Sequence, residues 1–282
     1  MSDDSPGCLY VIGTPIGNLE DATPRSRRLL AEVDLIAAED TRTAKHLLDH
    51  LQIECPSLVS YFEGNEAART SQLLSELDLG KSIGLISEAG MPGVSDPGQR
   101  LIEAAGRAGH KVVPIPGPSA VISAVVGSGL PTDRFTFVGF LPRESGGRRR
   151  ALGELRARPE TLIFYESPER VGACLRDMVE AFGPDRPAVL ARELTKMYEE
   201  FVRGTCESLA AKYADTSPRG ECTLVIGGAS EGEETPIDLE AAVRELLLEG
   251  LGPKDVASRL MVRTGKPRRE LYQLALSLKR GL

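Results

Sequence analysis

An alternation constrains this chain more than any other feature of it. Short runs rich in β-branched and apolar residues, CLYVIG (8–13), DLIAAED (34–40), SLVSYF (57–62), SIGLIS (82–87) and KVVPIPG (111–117), read as strands. Between them lie stretches with helical spacing: ATPRSRRLLAEV (22–33), TAKHLLDHL (43–51), NEAARTSQLLSEL (65–77) and GQRLIEAAGRAG (98–109). Strands separated by helices are joined by crossovers. Residues 8–117 are therefore expected to form an α/β domain around a mainly parallel sheet. Thr23 followed by Pro24 predicts an N-cap and first helical position, and Gly109 a helix stop.

From GPSAVISAVVGSG (117–129) onward the rhythm changes. RFTFVGFL (134–141), TLIFYES (161–167), AVLARELT (188–195), EEFVRG (199–204) and ECTLVIGG (221–228) are five strand-like runs with fewer helices between them. They predict a second α/β domain with a mixed sheet, over residues 118–229. ASEGEETP (229–236) is acidic and lacks large apolar residues, which suits a linker. Residues 237–282 read as three helices, a helix-turn-helix-like appendage.

Composition narrows the class. At 282 residues, 41% hydrophobic and 27% charged, the chain has ample material for a core, and a net charge of −7 means any nucleic-acid surface must be local. The opening MSDDSPG lacks the basic start and apolar run of a signal peptide, and no apolar stretch approaches the length of a membrane span. Five scattered cysteines (Cys8, Cys55, Cys174, Cys206, Cys222) suit reduced thiols in a cytoplasmic protein. His46 and His50 are four apart, but no HExxH accompanies them and no metal-ligand set is expected. Local basic character lies in LPRESGGRRRALGELRARPE (141–160), with Arg143, Arg148, Arg149, Arg150, Arg156 and Arg158. It recurs in the tail at Lys254, Arg259, Arg263, Lys266, Arg268, Arg269, Lys279 and Arg280. Arginine suits phosphate, although a solvated basic face would look the same.

Chemistry is expected where the strands end, because ligands of open α/β sheets bind outside the carboxyl ends of the strands. VIGTPIGNLED (11–21) offers Gly13 and Gly17 for close backbone approach to a ligand, yet is neither GxGxxG nor a Walker loop. AAEDTRTAKHLL (37–48) places Glu39, Asp40, Thr41 and Arg42 at the same rim, where helix capping is an equal reading. SEAGMPGVSDPG (87–98) and PIPGPSA (114–120) follow the fourth and fifth strands. In the second half FYESPER (164–170) and ARELTKMYEE (191–200) put Glu166, Arg170, Arg192, Glu193 and Lys196 just past apolar strands; a surface ion-pair network is the alternative.

Taken in order, LYVIGTPIGNLEDATPRSRRLL, DLIAAEDTRTAKHLL, LISEAGMPGVSDPG, VVPIPGPSA, TLIFYESPERV and ARELTKMYEEFVRG resemble the ribosomal RNA small-subunit methyltransferase I family, collinearly from residue 8 to 228. The resemblance implies the two-domain tetrapyrrole-methylase fold, with S-adenosylmethionine in the cleft between the domains, and a homodimer. It also implies 2′-O-methylation of a cytidine ribose in the decoding region of 16S rRNA, free or in the small ribosomal subunit. Cofactor contacts then fall on Pro15, Ile16, Ala89, Gly90, Met91, Val94, Ser119, Ala120, Glu166 and Leu194. S-adenosylmethionine carries no phosphate, so the absence of a Walker lysine is expected. Where the family usually reads Asp-Ala-Gly-Thr-Pro, this chain has Glu88-Ala89-Gly90-Met91-Pro92, which would weaken or rearrange a hydroxyl contact to the cofactor. The hypotheses attached to the cleft loops are that Lys196 or Glu193 assists proton removal and that Asn18, Asp40, Arg42, Arg148, Arg149 and Arg192 hold RNA, with no metal required. A small-molecule methylase of the same fold and a non-catalytic nucleic-acid-binding protein are the competing classes.

Overall fold

Backbone pairing in the computed structural model sorts the strands into two five-stranded sheets. The structure describes residues 7–54, 56–229, 239–264 and 267–279. The first sheet is built from β1 (Cys8–Ile12), β2 (Leu35–Ala38), β3 (Ser57–Ser60), β4 (Ser82–Ile86) and β5 (Lys111–Ile115), in the order β3-β2-β4-β1-β5 and wholly parallel. The crossovers are α1 (Pro24–Glu32), α2 (Thr41–His50), α3 (Glu66–Asp78) and α4 (Gln99–Arg107). Thr23 caps α1 by accepting from Ser26 N at 3.0 Å, with Pro24 at the first helical position.

The two-residue period of the strands divides the core. Leu9, Val11, Leu35, Ala37, Ile83 and Leu85 face Leu73 and Leu77 of α3 and Leu101 and Ala105 of α4. Ile12, Ile36, Ala38 and Ile86 face Leu29 and Leu30 of α1 and Ala44 and Leu48 of α2. Both faces of the sheet are covered, as an all-parallel sheet requires. With about 1.5–3 kcal/mol from each large buried aliphatic side chain, these layers fix where the strands end.

A second run of elements follows: α5 (Ala120–Ser128), β6 (Phe135–Phe140), α6 (Ser145–Leu155), β7 (Thr161–Glu166), α7 (Val171–Phe182), β8 (Pro187–Arg192), β9 (Glu200–Thr205), α8 (Cys206–Lys212) and β10 (Cys222–Ile226). The sheet order is β6-β7-β10-β8-β9; β6 and β7 are parallel, and β10 runs antiparallel to both β7 and β8. Val121, Ala124 and Val125 of α5 pack on Ile163, Val189, Ala191 and Val225, and Ile16 from the loop after β1 joins the same cluster. The mixed sheet expected from the sequence is present.

By contacts, both sheets belong to one compact unit ending at Gly153 and resuming over Glu160–Gly228; Glu154–Pro159 and the chain from Ala229 form a second. That second unit holds α9 (Leu239–Leu248), α10 (Pro253–Thr264) and α11 (Arg268–Lys279), which close on Val243, Leu246, Val256, Ala257, Leu260, Leu271 and Ala275. Apart from Ala229, the expected linker lies outside the described residues, as do Cys55, Lys266, Arg280 and the side chain of Arg263. Among the described residues no helix is long and apolar enough to cross a membrane.

Candidate active site

The loops that leave the first sheet are locked to one another by backbone. Past β1, Thr14 N donates to Gly90 O at 2.9 Å and Gly90 N to Thr14 O at 3.1 Å, an antiparallel bridge between loops that follow parallel strands. Gly13 N reaches Ile115 O at 3.1 Å, extending the β1–β5 ladder. A Cβ on Gly13 would stand 2.6 Å from Met91 Sδ and 2.7 Å from Gly117 Cα, so the glycines face each other and no side chain fits between. The close approach expected toward a ligand is therefore an approach between loops. Gly17 behaves alike: a Cβ there would lie 2.5 Å from Lys196 Cγ.

Over this floor opens a cavity of about 400 Å³, lined by Ile16, Ala89, Gly90, Met91, Val94, Ser119 and Ala120 on one side. Phe140, Tyr165, Glu166, Ser167, Pro168, Glu221, Cys222 and Thr223 line the other, and Glu39, Glu88, Ser95 and Asp96 the end. Its size suits a small-molecule ligand. A more open hollow of about 1140 Å³ along α3 and α4 shares Glu39, Ser95 and Asp96 with it but lacks its apolar walls.

Electrostatics set the cavity apart. Five carboxylates line it (Glu39, Glu88, Asp96, Glu166 and Glu221), and among the described residues no lysine, arginine or histidine does. Burial raises the Glu39 carboxyl above its usual range; the Glu88 N–H at 3.2 Å works against this, and the charges of Asp96, Glu88 and Asp40 add to it. Asp96 is raised chiefly by burial, against a hydrogen bond from Ser87, with the charge of Glu88 adding to it. The Tyr165 hydroxyl is pushed up to about 12, first by burial and then by the charge of Asp96. Such a site favours a cation and disfavours a phosphate.

At the rim of the second sheet the ties are ionic. Lys196 Nζ donates to Glu193 Oε1 and to Glu221 Oε2, both at 2.9 Å. Burial alone would lower the lysine, but its bonds to Glu221 and Glu193 outweigh burial and hold it above the ordinary range. Glu193 is lowered, first by the bond from Lys196. Lys196 is thus held charged between two carboxylates, an arrangement that suits assistance to proton removal through its charge; Glu193 is made a weaker base by the same contact. Buried Glu166 accepts from Ser167 N at 2.8 Å and pairs with Arg170 at 3.2 Å.

Eight of the ten residues expected at the cofactor lie along the cavity. Pro15 instead lines a separate hollow of about 200 Å³ with Thr14, Leu19 and Leu47, and Leu194 points into the core beneath α5. Asp40 binds the Arg42 guanidinium, which does most to lower its carboxyl, and caps α2 by accepting from Arg42 N at 2.7 Å, which lowers it further. It is a capping residue whose oxygens are taken; Arg42 itself projects outward. Asn18, exposed, caps the turn at Leu19–Asp21 by accepting from Glu20 N. Arg148 is a correction: its side chain is 6% exposed and its Nε donates to Asp177, 4% exposed, at 2.6 Å, so no RNA phosphate reaches it. Arg149 binds the same carboxylate from a half-exposed position, and Arg192 is tied to Glu200 at 2.8 Å. Asp96 and Glu221–Thr223 were not singled out from the sequence. Asp96 had a signal in its SDPG turn after β4; Glu221 precedes a strand and had none.

A family model described as Tetrapyrrole (Corrin/Porphyrin) Methylases matches residues 8–210, and one described as RsmI C-terminal HTH domain matches 233–279. Proteins named Ribosomal RNA small subunit methyltransferase I are close in sequence. The one from Synechocystis sp. is 45% identical over 97% of this chain and 99% of its own length. The one from Pseudomonas aeruginosa is 46% identical over 96% and 98%. Among solved structures, a Thermus thermophilus uroporphyrin-III C-methyltransferase complexed with S-adenyl homocysteine aligns with TM-score 0.55 and 21% identity over 78% of this chain and 96% of that one. A diphthine synthase aligns with TM-score 0.57 and 14% identity over 78% and 90%. At these identities the structural likeness speaks for the fold.

Proposed function

The chain belongs to the ribosomal RNA small subunit methyltransferase I family of tetrapyrrole methylases, and on that premise we propose that it moves a methyl group from S-adenosylmethionine to the 2′-oxygen of a cytidine ribose in the decoding region of 16S rRNA. One observation carries the cofactor half of this reading: among the described residues the cleft is lined by carboxylates and by no basic side chain. S-adenosylmethionine has a sulfonium and an ammonium and no phosphate. Glu39, Glu88 and Asp96, which have no basic partner among the described residues, would hold its positive charge, and Ile16, Met91, Phe140 and Tyr165 would enclose its adenine. Met91, where the family has threonine, lies with its sulfur against Gly13 and packs on the first sheet's core, so it fills the floor instead of offering a hydroxyl.

When bound, this cofactor supplies a methyl carbon already made electrophilic by its sulfonium. The protein then has to align the ribose, exclude water and manage the 2′-oxygen as it loses its proton. Lys196, kept charged at the edge of the cleft by Glu193 and Glu221, is assigned the stabilisation of negative charge on that oxygen. Arg42, Asn18, Arg149 and Arg192 remain the proposed RNA contacts of a cytoplasmic enzyme. A homodimer is proposed as well: Ile122 and Val126, four apart on α5, are 49% and 68% exposed.

The test is transfer of labelled methyl from S-adenosylmethionine to small ribosomal subunits from a strain lacking the activity, with the modified nucleotide mapped. Label on a ribose 2′-oxygen in the decoding region is the expected result. Cofactor binding without label would move the substrate to a small molecule.

A further inference from the structure

Past the clamped lysine, the turn between β8 and β9 carries two large apolar side chains into water. Met197 is 89% exposed and Tyr198 69%. The turn is not loose. Glu193 and Thr195 sit at φ +50° and +66°, a left-handed backbone that side chains rarely adopt and that needs support from surrounding structure. The support is visible: Glu199 Oε2 accepts from Thr195 N at 2.7 Å, Lys196 N donates to Glu193 O at 3.0 Å, and Glu193 N to Glu221 O at 3.0 Å. The stem of Lys196 lies against Gly17 from the other sheet's rim. A rigid tip thus presents an aromatic ring and a thioether beside the cleft mouth. On the adjoining loop, Arg219 accepts from Arg192 Nη1 at its carbonyl, 3.2 Å away. Its exposed guanidinium has no ion pair or hydrogen bond among the described residues, whereas Arg42, Arg170 and Arg192 are each tied to a carboxylate.

The acidic cleft repels an RNA backbone, so the RNA must be held at the rim. A ribose inside a stacked helix cannot present its 2′-oxygen to a recessed site; its nucleotide has to leave the stack, and unstacked bases are held on aromatic faces. Tyrosine does this with little loss of side-chain freedom. We propose, resting on the methyltransferase reading above, that the Met197–Tyr198 tip is a stacking platform for an unpaired base of the RNA substrate, with Arg219 taking a neighbouring phosphate.

The experiment compares wild type, Tyr198→Ala, Tyr198→Phe and Arg219→Ala on small ribosomal subunits. It reads kcat and KM separately, with S-adenosylmethionine affinity by calorimetry and sedimentation velocity alongside. Tyr198→Ala is expected to raise KM for subunits about 5- to 100-fold, with cofactor affinity and sedimentation unchanged. Tyr198→Phe keeps the ring and should stay within about twofold of wild type. Arg219→Ala should raise KM and flatten its dependence on salt by about one phosphate contact. An unchanged KM in Tyr198→Ala overturns the proposal, as does Tyr198→Phe failing as badly as Tyr198→Ala. A shift in sedimentation also overturns it, since the tip would then cover a second copy of the chain. If wild type itself transfers no label, the methyltransferase reading has failed and takes this inference with it. Label from wild type with a normal Tyr198→Ala removes this inference alone.

Discussion

The two sheets build their rims in different ways. Around the parallel sheet the loops hold each other through backbone: Gly13 against Gly117, and Thr14 bridged to Gly90. Around the mixed sheet charged side chains do the holding: Lys196 between Glu193 and Glu221 and Arg170 on Glu166 at the rim, and Arg148 on Asp177 between the helices α6 and α7 behind it. The first kind of contact is indifferent to pH and salt and intolerant of volume. The second tolerates volume and depends on charge. A site assembled half from each can be damaged independently on either side.

The contrast is broken hardest at Arg148. Removing it leaves buried Asp177 with only half-exposed Arg149 and the Ser145 hydroxyl as partners, which should cost up to about 3–5 kcal/mol, whereas Arg149→Ala should cost under about 1 kcal/mol. Thermal unfolding of the two variants checks this, and the KM for subunits should stay put in Arg148→Ala protein that remains folded. Next, Lys196→Ala should lower kcat about 10²- to 10³-fold if the lysine stabilises the oxyanion. S-adenosylmethionine should bind at least as tightly, because Glu193 and Glu221 lose their counter-ion; calorimetry that shows weaker binding would contradict the assignment. On the backbone side, Gly117→Ala forces a methyl against Gly13, with a stability cost of about 1–3 kcal/mol that salt does not change, while Gly146→Ala, in helix α6 with nothing within 4 Å, should stabilise by up to about 1 kcal/mol.

The smallest effect separates the carboxylates by sign. Asp177 is lowered, burial being outweighed by Arg149 and Arg148, so its stabilisation is present above the ordinary aspartate pKa and is lost as pH falls through the depressed one. Glu39 and Asp96 are raised, so their contribution is full at low pH and lost as pH rises through their folded values. As pH falls from neutral through the raised values of Glu39 and Asp96, affinity for the cationic cofactor should fall while the folded state gains stability. Asp96→Asn should raise Tm at neutral pH and weaken that affinity. A variant that lost both would place Asp96 with the structural ion pairs.

This difference also governs what could be read from the sequence. In the parallel sheet every loop at the rim follows a strand, so ends such as SEAGMPG and GPSA point to the cavity as soon as the strands are found. In the mixed sheet β10 runs antiparallel to β7, with Cys222 opposite Glu166, and brings its beginning to the rim. Glu221, Cys222 and Thr223 therefore precede their strand, where an expectation built on carboxyl ends does not look. The arginine cluster at 143–150 misled for a related reason: its neutralising carboxylate, Asp177, lies on the next helix, and composition does not report that pairing. The side chain of Leu194 turns into the core between left-handed neighbours, which leaves its backbone as the part that can meet a ligand.

The bridge between Thr14 and Gly90 has a kinetic meaning. Loop amides usually exchange with solvent through small local openings. These two are hydrogen-bonded in both directions, at 2.9 and 3.1 Å, and continue strands whose neighbours are fully buried. They should exchange on the timescale of the central strands, opening only when the sheet opens. The cavity floor would then stand complete before any ligand arrives, and an incoming cofactor would have only the outer wall left to order.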